Sequence, residues 1–246
     1  MTLLTWNIHG GGARVPRIVE EIAAHDPDVI ALTACRGAPE KELRAGFAGR
    51  GWSFFESTGP SESEKGIAVF ARTPLRALPC PAVPEHRDRW LEVALPEYGF
   101  ALTLLHIMAG GTGKTHPLTL AKTRFWDRVV ATAAARLGEP WIMAGDWNTG
   151  AQGIDETRKS YVCSEQFLAL SAMGWTDLWR HHNPGPTEWT WYSTRKGGDR
   201  ANGFRLDHAF ATPPLLPRVI SCRYSHRERD ARVSNHSLVV VEIASA

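Results

Sequence analysis

Chemistry in this 246-residue chain starts at Gly145-Asp146-Trp147-Asn148. The apolar run Trp141 to Ala144 precedes it and follows Pro140, which predicts a short strand buried on both faces. Gly145 lets the backbone turn, and Asp146 and Asn148 follow at a spacing of two. At an extended strand end alternate side chains point the same way, so a carboxylate and a carboxamide project together. The carboxylate only accepts hydrogen bonds, so it can orient a water or bind a hard cation; the amide can donate to an anionic oxygen. That pairing suits hydrolysis of a phosphate ester. Taken alone, Asp-Trp-Asn-Thr-Gly is equally well a turn, because Asp, Asn and Gly dominate turns. Trp147 alternates away from both polar groups and is expected in packing.

Four other strand ends carry groups of the same kind: Trp6-Asn7, Leu105-His106, Arg205-Leu206-Asp207-His208 and Ser234-Asn235-His236-Ser237. Each polar group borders an apolar run. If the strands lie in adjacent sheets, the Asn, Asp and His side chains converge at one end. Each also has a plainer reading. Asn7 can cap the turn into Gly10-Gly11-Gly12, His106 can be a satisfied strand-end histidine, Asp207 can pair with Arg205, and His236 can be structural.

The elements that must position these groups follow from the patterning. Strands are expected over Thr2 to Ile8, Val29 to Leu32, Trp52 to Glu56, Gly66 to Ala71, Trp90 to Leu95 and Phe100 to His106. Four more are expected late in the chain, over Glu188 to Tyr192, Arg205 to Ala211, Arg218 to Tyr224 and Ser237 to Ile243. Helices are expected at Val15 to Ile22, Glu40 to Phe47, Leu118 to Leu137 and Ser164 to Met173, and Pro74 to Pro84 reads as irregular. Two stacked, mainly antiparallel or mixed sheets with helices outside accommodate this order in one domain over 1–246.

Composition sets the frame. Hydrophobic content of 43% and charged content of 22% are ordinary for a soluble globular chain whose core needs no staples. The net charge of +2 neither demands nor excludes a nucleic acid, since a local basic face suffices. Cys35, Cys80, Cys163 and Cys222 form no Cys-x-x-Cys pair, so no zinc or redox motif is present. The first residues resemble no secretory signal and no run is long enough to span a membrane, so a cytoplasmic protein is expected, with no obligate protein partner.

The ordered set Trp6-Asn7, Gly145-Asp146-Trp147-Asn148, Asp207 and Ser234-Asn235-His236 resembles the endonuclease/exonuclease/phosphatase superfamily, over residues 2 to about 243. The likeness is greatest to its exonuclease III and abasic-site endonuclease branch. The resemblance implies a four-layer α/β sandwich that hydrolyses phosphodiesters or phosphomonoesters with Mg2+ or Mn2+, acting on nucleic acid, most simply DNA. It implies that Asn7 assists metal and phosphate binding, Asp146 orients the attacking water, and Asn148 holds the scissile phosphate. Asp207 would fix the tautomer of His236, whose other nitrogen would stabilise the developing charge. His106 falls where several branches keep a phosphate-binding His. The stretch Thr190-Trp191-Tyr192 and Gly203 to Asp207 is similar to an aromatic DNA-gripping loop, which puts Trp191 and Arg205 at the substrate.

Two positions depart from the family pattern. The metal-holding Glu that follows the second strand falls at Ala34, and the Asp before the active His falls at Asn235. Alanine offers no ligand and an amide is a poor one for a hard divalent ion. Both changes remove charge and leave the apolar frame intact. They imply weakened metal binding and reduced or absent turnover, in a deliberately inactivated version or a natural pseudo-enzyme, the former favoured. Two alternatives to a nuclease stay open: a hydrolase of a small or lipid phosphate ester, and a catalytically dead nucleic-acid-binding module.

The run Gly110 to Thr115 imitates a phosphate-binding P-loop but has Met108 where that motif needs Gly, and reads as a flexible loop near the site. Lys114 and Lys122 are candidates for backbone phosphates there, against a solvated loop. Arg195, Lys196, Arg200, Arg205, Arg223, His226, Arg227, Arg229 and Arg232 gather late, beside Trp189, Trp191 and Tyr192. They are either a phosphate-tracking surface with stacking platforms or a solvated face interrupted by Glu228 and Asp230.

Overall fold

A computed structural model describes residues 1–245 apart from 63, 81–83, 112, 159, 186 and 196–199. Thr112, Lys196 and part of the proline-rich segment therefore lie outside the described residues. The strands are β1 (Thr2–Gly10), β2 (Val29–Cys35), β3 (Phe54–Ser57), β4 (Gly66–Ala71), β5 (Arg76–Ala77), β6 (Trp90–Leu95) and β7 (Phe100–His106). They continue with β8 (Trp141–Asp146), β9 (Thr176–Asp177), β10 (Trp191–Thr194), β11 (Arg200–Phe204), β12 (Asp207–Ala211), β13 (Val219–Ser225) and β14 (Leu238–Ile243). The helices are α1 (Val15–Ala23), α2 (Gly37–Ala48), α3 (Pro117–Arg136), α4 (Ser164–Met173), α5 (Leu178–His182) and α6 (Arg227–Asp230).

Two six-stranded sheets result, ordered β13-β14-β1-β2-β4-β3 and β5-β6-β7-β8-β12-β9, with β10 and β11 as a separate ribbon. Each sheet contains one parallel pair, β1 with β2 and β7 with β8; the other pairings are antiparallel. A parallel pair needs a crossover, and α1 and α3 supply the two. The sheets pack face to face through Leu3, Val29, Ala31, Ile67 and Val69 of one and Leu102, Leu104, Ile142, Ala144 and Ala209 of the other. Leu4, Trp6, Ile30 and Leu32 point outward onto α1 and α2 through Ile18, Ile22, Leu43 and Phe47. Trp141 and Met143 do the same toward α3 and α4, meeting Trp126, Val129, Phe167 and Leu170. Strands apolar on both faces are what a helix–sheet–sheet–helix stack requires.

The periodic elements lie where their patterns put them, and α4 matches the expected residues. The late strands differ. The strand expected from Glu188 begins at Trp191, and the one expected from Arg205 begins at Asp207. β11, with the sequence Arg-Ala-Asn-Gly-Phe, and the two-residue β5 were not readable, because neither alternates apolar with polar residues.

Gly145 serves a different purpose from a turn. The strand runs on through it to Asp146. Its φ is +129°, and a Cβ there would come within 2.0 Å of the Leu105 carbonyl oxygen, its register partner in β7. Only glycine lets β8 approach β7 this closely while delivering Asp146 at the end.

Candidate active site

The parallel pairs bring the chemistry together. Asn7 lies near the end of β1, His106 closes β7, Asp146 closes β8, and Asp207 opens β12 directly opposite Asp146 in the antiparallel register. His236 stands just before β14, and β1 holds it there. The Trp6 indole donates to the His236 carbonyl at 3.0 Å, and the Ser234 hydroxyl donates to the Asn7 carbonyl at 2.6 Å.

Asp146 is the hub. Its Oδ2 accepts from Asn7 Nδ2 at 2.7 Å and from Asn148 Nδ2 at 3.2 Å, and its Oδ1 accepts the Asn148 backbone N–H at 3.0 Å. Asn148 has φ +47°, in the left-handed region. The two side chains therefore meet by a turn that folds back on Asp146, not by strand alternation as the spacing suggested. The Asn148 amide also donates to the Ile107 carbonyl at 2.9 Å, so it is committed to holding Asp146 and the loop. Lys122 supports the same turn from α3, its Nζ donating to the Asn148 carbonyl at 2.6 Å. Burial lowers the Lys122 pKa to about 8. It braces the site from within rather than offering itself to phosphates. Asn7 also caps the turn that follows it, its Oδ1 accepting the His9 N–H at 2.9 Å.

Two imidazoles flank Asp146 evenly: His106 Nε2 and His236 Nε2 each lie 3.9 Å from its Oδ2. Their environments push them apart. His236 Nδ1 lies 2.9 Å from Asp207 Oδ2. Burial alone would lower the His236 pKa, but Asp207 and Asp146 outweigh it and raise it above the ordinary value. Burial dominates at His106 and lowers its pKa to about 4 against the pull of Asp146. His106 Nδ1 is buried with no hydrogen-bond partner among the described residues. The result is one imidazole tuned toward the charged form and one toward the neutral form, on either side of a carboxylate.

The remaining expected residues divide. Trp191 bridges His236 through the backbone, and its ring centre lies 6.4 Å from the imidazole. Arg205 does not face a ligand: it is 2% exposed, with its guanidinium held by Asp155 and Asp177. Burial with two carboxylates fixes it as a tie beneath the site, so the substrate role expected for it is corrected. Nor does it pair with Asp207. Lys114 is exposed in a cleft with Thr119, Gln152, Tyr161 and Val162, residues outside the Asp146 cluster. His208 turns to the opposite face of β12, bonded to the Thr149 carbonyl at 2.8 Å and packed on Phe167.

Ala34 and Asn235 stand on the other flank. Ala34 is bulged out of the β2–β4 ladder with φ +59°, one residue beyond Thr33, which pairs with Asn7. It is 1% exposed and offers no ligand atom. Asn235 is exposed on the rim of a 480 Å³ cleft that His9, Arg14, Tyr192, Arg200, Arg229 and Arg232 also line. That size suits a nucleotide. Arg200 and Arg229 each stack over Tyr192, with their guanidinium carbons 4.8 and 4.9 Å from its ring centre. Of the late basic run, these and Arg232 reach the cleft. Arg227 instead pairs with Glu21 and Glu228, and His226 with Glu188. Arg14 and His9 went unread as cleft residues, because nothing in their local spacing marks them.

For a divalent cation the donors are uneven. Asp146, Asp207 and His236 place ligand atoms within 4.8 Å of one another. Two carboxylates and an imidazole fit Mg2+ or Mn2+ on that side. Positions 34 and 235 add no charge.

Comparison with known proteins places the chain. The pattern of the Endonuclease/Exonuclease/phosphatase family matches residues 4–236. A DNA-(apurinic or apyrimidinic site) endonuclease of Dictyostelium discoideum is 22% identical over 234 residues, covering 89% of this chain. The chain spans 64% of the length of that relative. An AP endonuclease from Archaeoglobus fulgidus superposes with a TM-score of 0.86 at 19% identity, covering 99% of both chains. A 3'-5' exonuclease from Neisseria meningitidis gives 0.85 at 20% identity, covering 99% of this chain and 100% of its own. A 3' phosphatase from Neisseria bound to a product DNA hairpin gives 0.84 at 21% identity, covering 99% of both chains. These structural likenesses bear on the fold.

Proposed function

The chain belongs to the endonuclease/exonuclease/phosphatase family, and from that premise we propose that it hydrolyses phosphate esters of nucleic acid, DNA first. The hydrogen-bonded line Asp207–His236 beside Asp146–Asn7 carries this reading. Asp146 has its carboxylate oriented by Asn7 and Asn148, so it can direct a water at phosphorus. Asp207 accepts the Nδ1–H hydrogen bond of His236, which turns Nε2–H toward the phosphoryl oxygen whose charge grows in the transition state. The raised pKa of His236 favours the form that donates there. His106, neutral at physiological pH, supplies a second polar edge to the same oxygen cluster.

A divalent cation, Mg2+ or Mn2+, is the cofactor of this reading. Asp146, with Asp207 beside it, would hold it, and it would supply Lewis-acid neutralisation of phosphate charge, while His236 keeps its Nε2 for the phosphoryl oxygen. With no carboxylate at 34 or 235 the hold is weak and turnover slow, as the sequence leads one to expect. The arginine-lined cleft with Tyr192 favours a nucleic acid over a small or lipid ester, because it joins cationic side chains to an aromatic ring. Among the described residues no helix is long and apolar enough to cross a membrane. A cytoplasmic protein acting as one domain over 1–246 belongs to the same proposal, and the free state of its cysteines supports it.

A single-turnover assay with Mg2+ or Mn2+ tests the proposal on duplex DNA, abasic duplex, 3'-phosphate duplex, single-stranded DNA, RNA and a generic phosphodiester. Cleavage of at least one nucleic acid, lost in Asp146→Asn, is expected. Binding without cleavage of any substrate would replace the enzyme by a binding module. Cleavage of the generic ester alone would move the substrate class away from nucleic acid.

A further inference from the structure

Asp207 and His236 meet although they belong to different sheets. Asp207 opens β12 of one sheet, and His236 stands just before β14 of the other. Stacked sheets lie about 10 Å apart, and no ladder sets the register between them. A contact of 2.9 Å between Asp207 Oδ2 and His236 Nδ1 therefore needs a third element to hold the two strand ends against each other. Thr190, fully buried and immediately before β10, has the bonds to do this. Its Oγ1 accepts the backbone N–H of Leu206 at 2.9 Å and that of Asp207 at 3.2 Å. Its own N–H donates to the Phe204 carbonyl at 2.9 Å, and its carbonyl accepts the Ser237 N–H at 2.8 Å. Trp191, the next residue, makes the isolated bridge to His236.

Other bonds secure one member of the pair each. The Tyr224 hydroxyl donates to the Asp207 carbonyl at 3.0 Å, and the Trp6 indole to the His236 carbonyl at 3.0 Å. Thr190 reaches both segments, 204–207 through its side chain and N–H, and Ser237 through its carbonyl. The side chain is the part that depends on residue type. A hydroxyl oxygen has two lone pairs, so it can accept two N–H groups at once. Leu206 and Asp207 are buried, so without that oxygen two backbone donors lose their acceptor away from water. The branched Thr side chain is stiff at χ1, which keeps the oxygen in place.

Resting on the hydrolase reading, we propose that Thr190 is a positioning residue for the Asp207–His236 pair. Its hydroxyl fixes the backbone of Asp207 at the distance from which the carboxylate orients the imidazole, and it does not itself meet the substrate. A hydrogen bond weakens steeply with length and angle, so a small drift of Asp207 would free the ring to rotate. The Nε2 edge of His236 would then no longer be aimed where charge develops.

The test is proton NMR in EDTA, which needs neither cation nor turnover. A proton held between an imidazole Nδ1 and a carboxylate resonates far downfield of the amides, and His236→Gln assigns it by removing it. The parent should show this resonance. Thr190→Val, close in shape but without the oxygen, should lose it, and Thr190→Ser, which keeps the oxygen, should retain it. Thr190→Ala should behave as the valine variant does, and gives the answer if that one does not fold. Thr212→Val controls for stability alone: it removes the hydroxyl that accepts the Trp141 N–H at 3.0 Å, at the far end of β8, and should leave the resonance in place. Retention in Thr190→Val or Thr190→Ala, loss in Thr190→Ser or Thr212→Val, or absence from the parent overturns the inference. In single-turnover cleavage of a 3'-phosphate duplex with Mg2+, Thr190→Val should lower the saturated rate about 10- to 100-fold, with Thr190→Ser near the parent. Duplex affinity should stay within about twofold, and a fall in affinity as large as the fall in rate also overturns the inference. A parent that cleaves nothing counts against the hydrolase reading, and the resonance then decides the role of Thr190 by itself.

Discussion

The two flanks of the site are built on the same kind of support and differ in charge. On one, Asp146, Asp207, His236 and Asn7 sit at strand ends with their hydrogen bonds made and two imidazoles tuned in opposite directions. On the other, Ala34 and Asn235 occupy positions equally well defined and bring no carboxylate. The backbone of the second flank is as specific as the first: Ala34 holds a left-handed conformation that alanine does not prefer. The difference teaches that a strand-end scaffold can keep its geometry while it loses its carboxylates, so the fold alone does not say what a site binds.

The sharpest way to break this contrast is to damage the retained flank. Asp146→Asn and His236→Gln should each lower single-turnover cleavage by about 1000-fold or more, the span of a general acid–base or electrostatic contribution. A residual rate within tenfold of the parent would remove these residues from the chemistry.

Next in size is the strand beneath. Gly145→Ala forces a Cβ against the Leu105 carbonyl at a φ of +129°, and should destabilise the fold by about 4 kcal/mol, measured by urea denaturation. A loss below 1 kcal/mol would mean that β7 and β8 separate easily. The close approach would then not be what sets Asp146 in place.

The third concerns pH. Burial lowers the His208 pKa from 6.5 to about 4. Between those values the unfolded chain binds a proton that the folded chain refuses. This share of stability is therefore full above pH 6.5 and falls as pH drops toward 4, by about 3 kcal/mol. His106 acts with the same sign. His208→Gln keeps a donor for the Thr149 carbonyl but does not titrate, so its stability should fall less steeply over that window. An unchanged slope would place the proton elsewhere.

The smallest effect sharpens the other flank. Ala34→Glu alone should raise the Mg2+-dependent rate by less than about tenfold, because position 235 still offers no carboxylate. No rise at all would separate position 34 from the cation.

Much of this was legible in the residues. Buried strands of Val, Ile, Leu and Trp announced both sheets, and the polar group at each strand end announced the cluster around Asp146. The convergence of His208 with that cluster was misread, since period-two alternation sends it to the face of Phe167. Arg205 was misread because an arginine beside an aromatic strand looks the same in sequence whether it meets phosphate or two buried aspartates. The pairing partners of Arg205, Asp155 and Asp177, lie 50 and 28 residues away.

One measurement addresses the contrast most directly. The single-turnover rate on abasic and 3'-phosphate duplex DNA would be compared for the parent, for Ala34→Glu with Asn235→Asp, and for each of these carrying Asp146→Asn, with Mg2+ present. The expected result is slow cleavage by the parent, a rise of about 10- to 100-fold with both carboxylates in place, and loss of both activities with Asp146→Asn. A parent as fast as the version with both carboxylates would contradict the division of the site into a catalytic flank and a flank stripped of metal ligands.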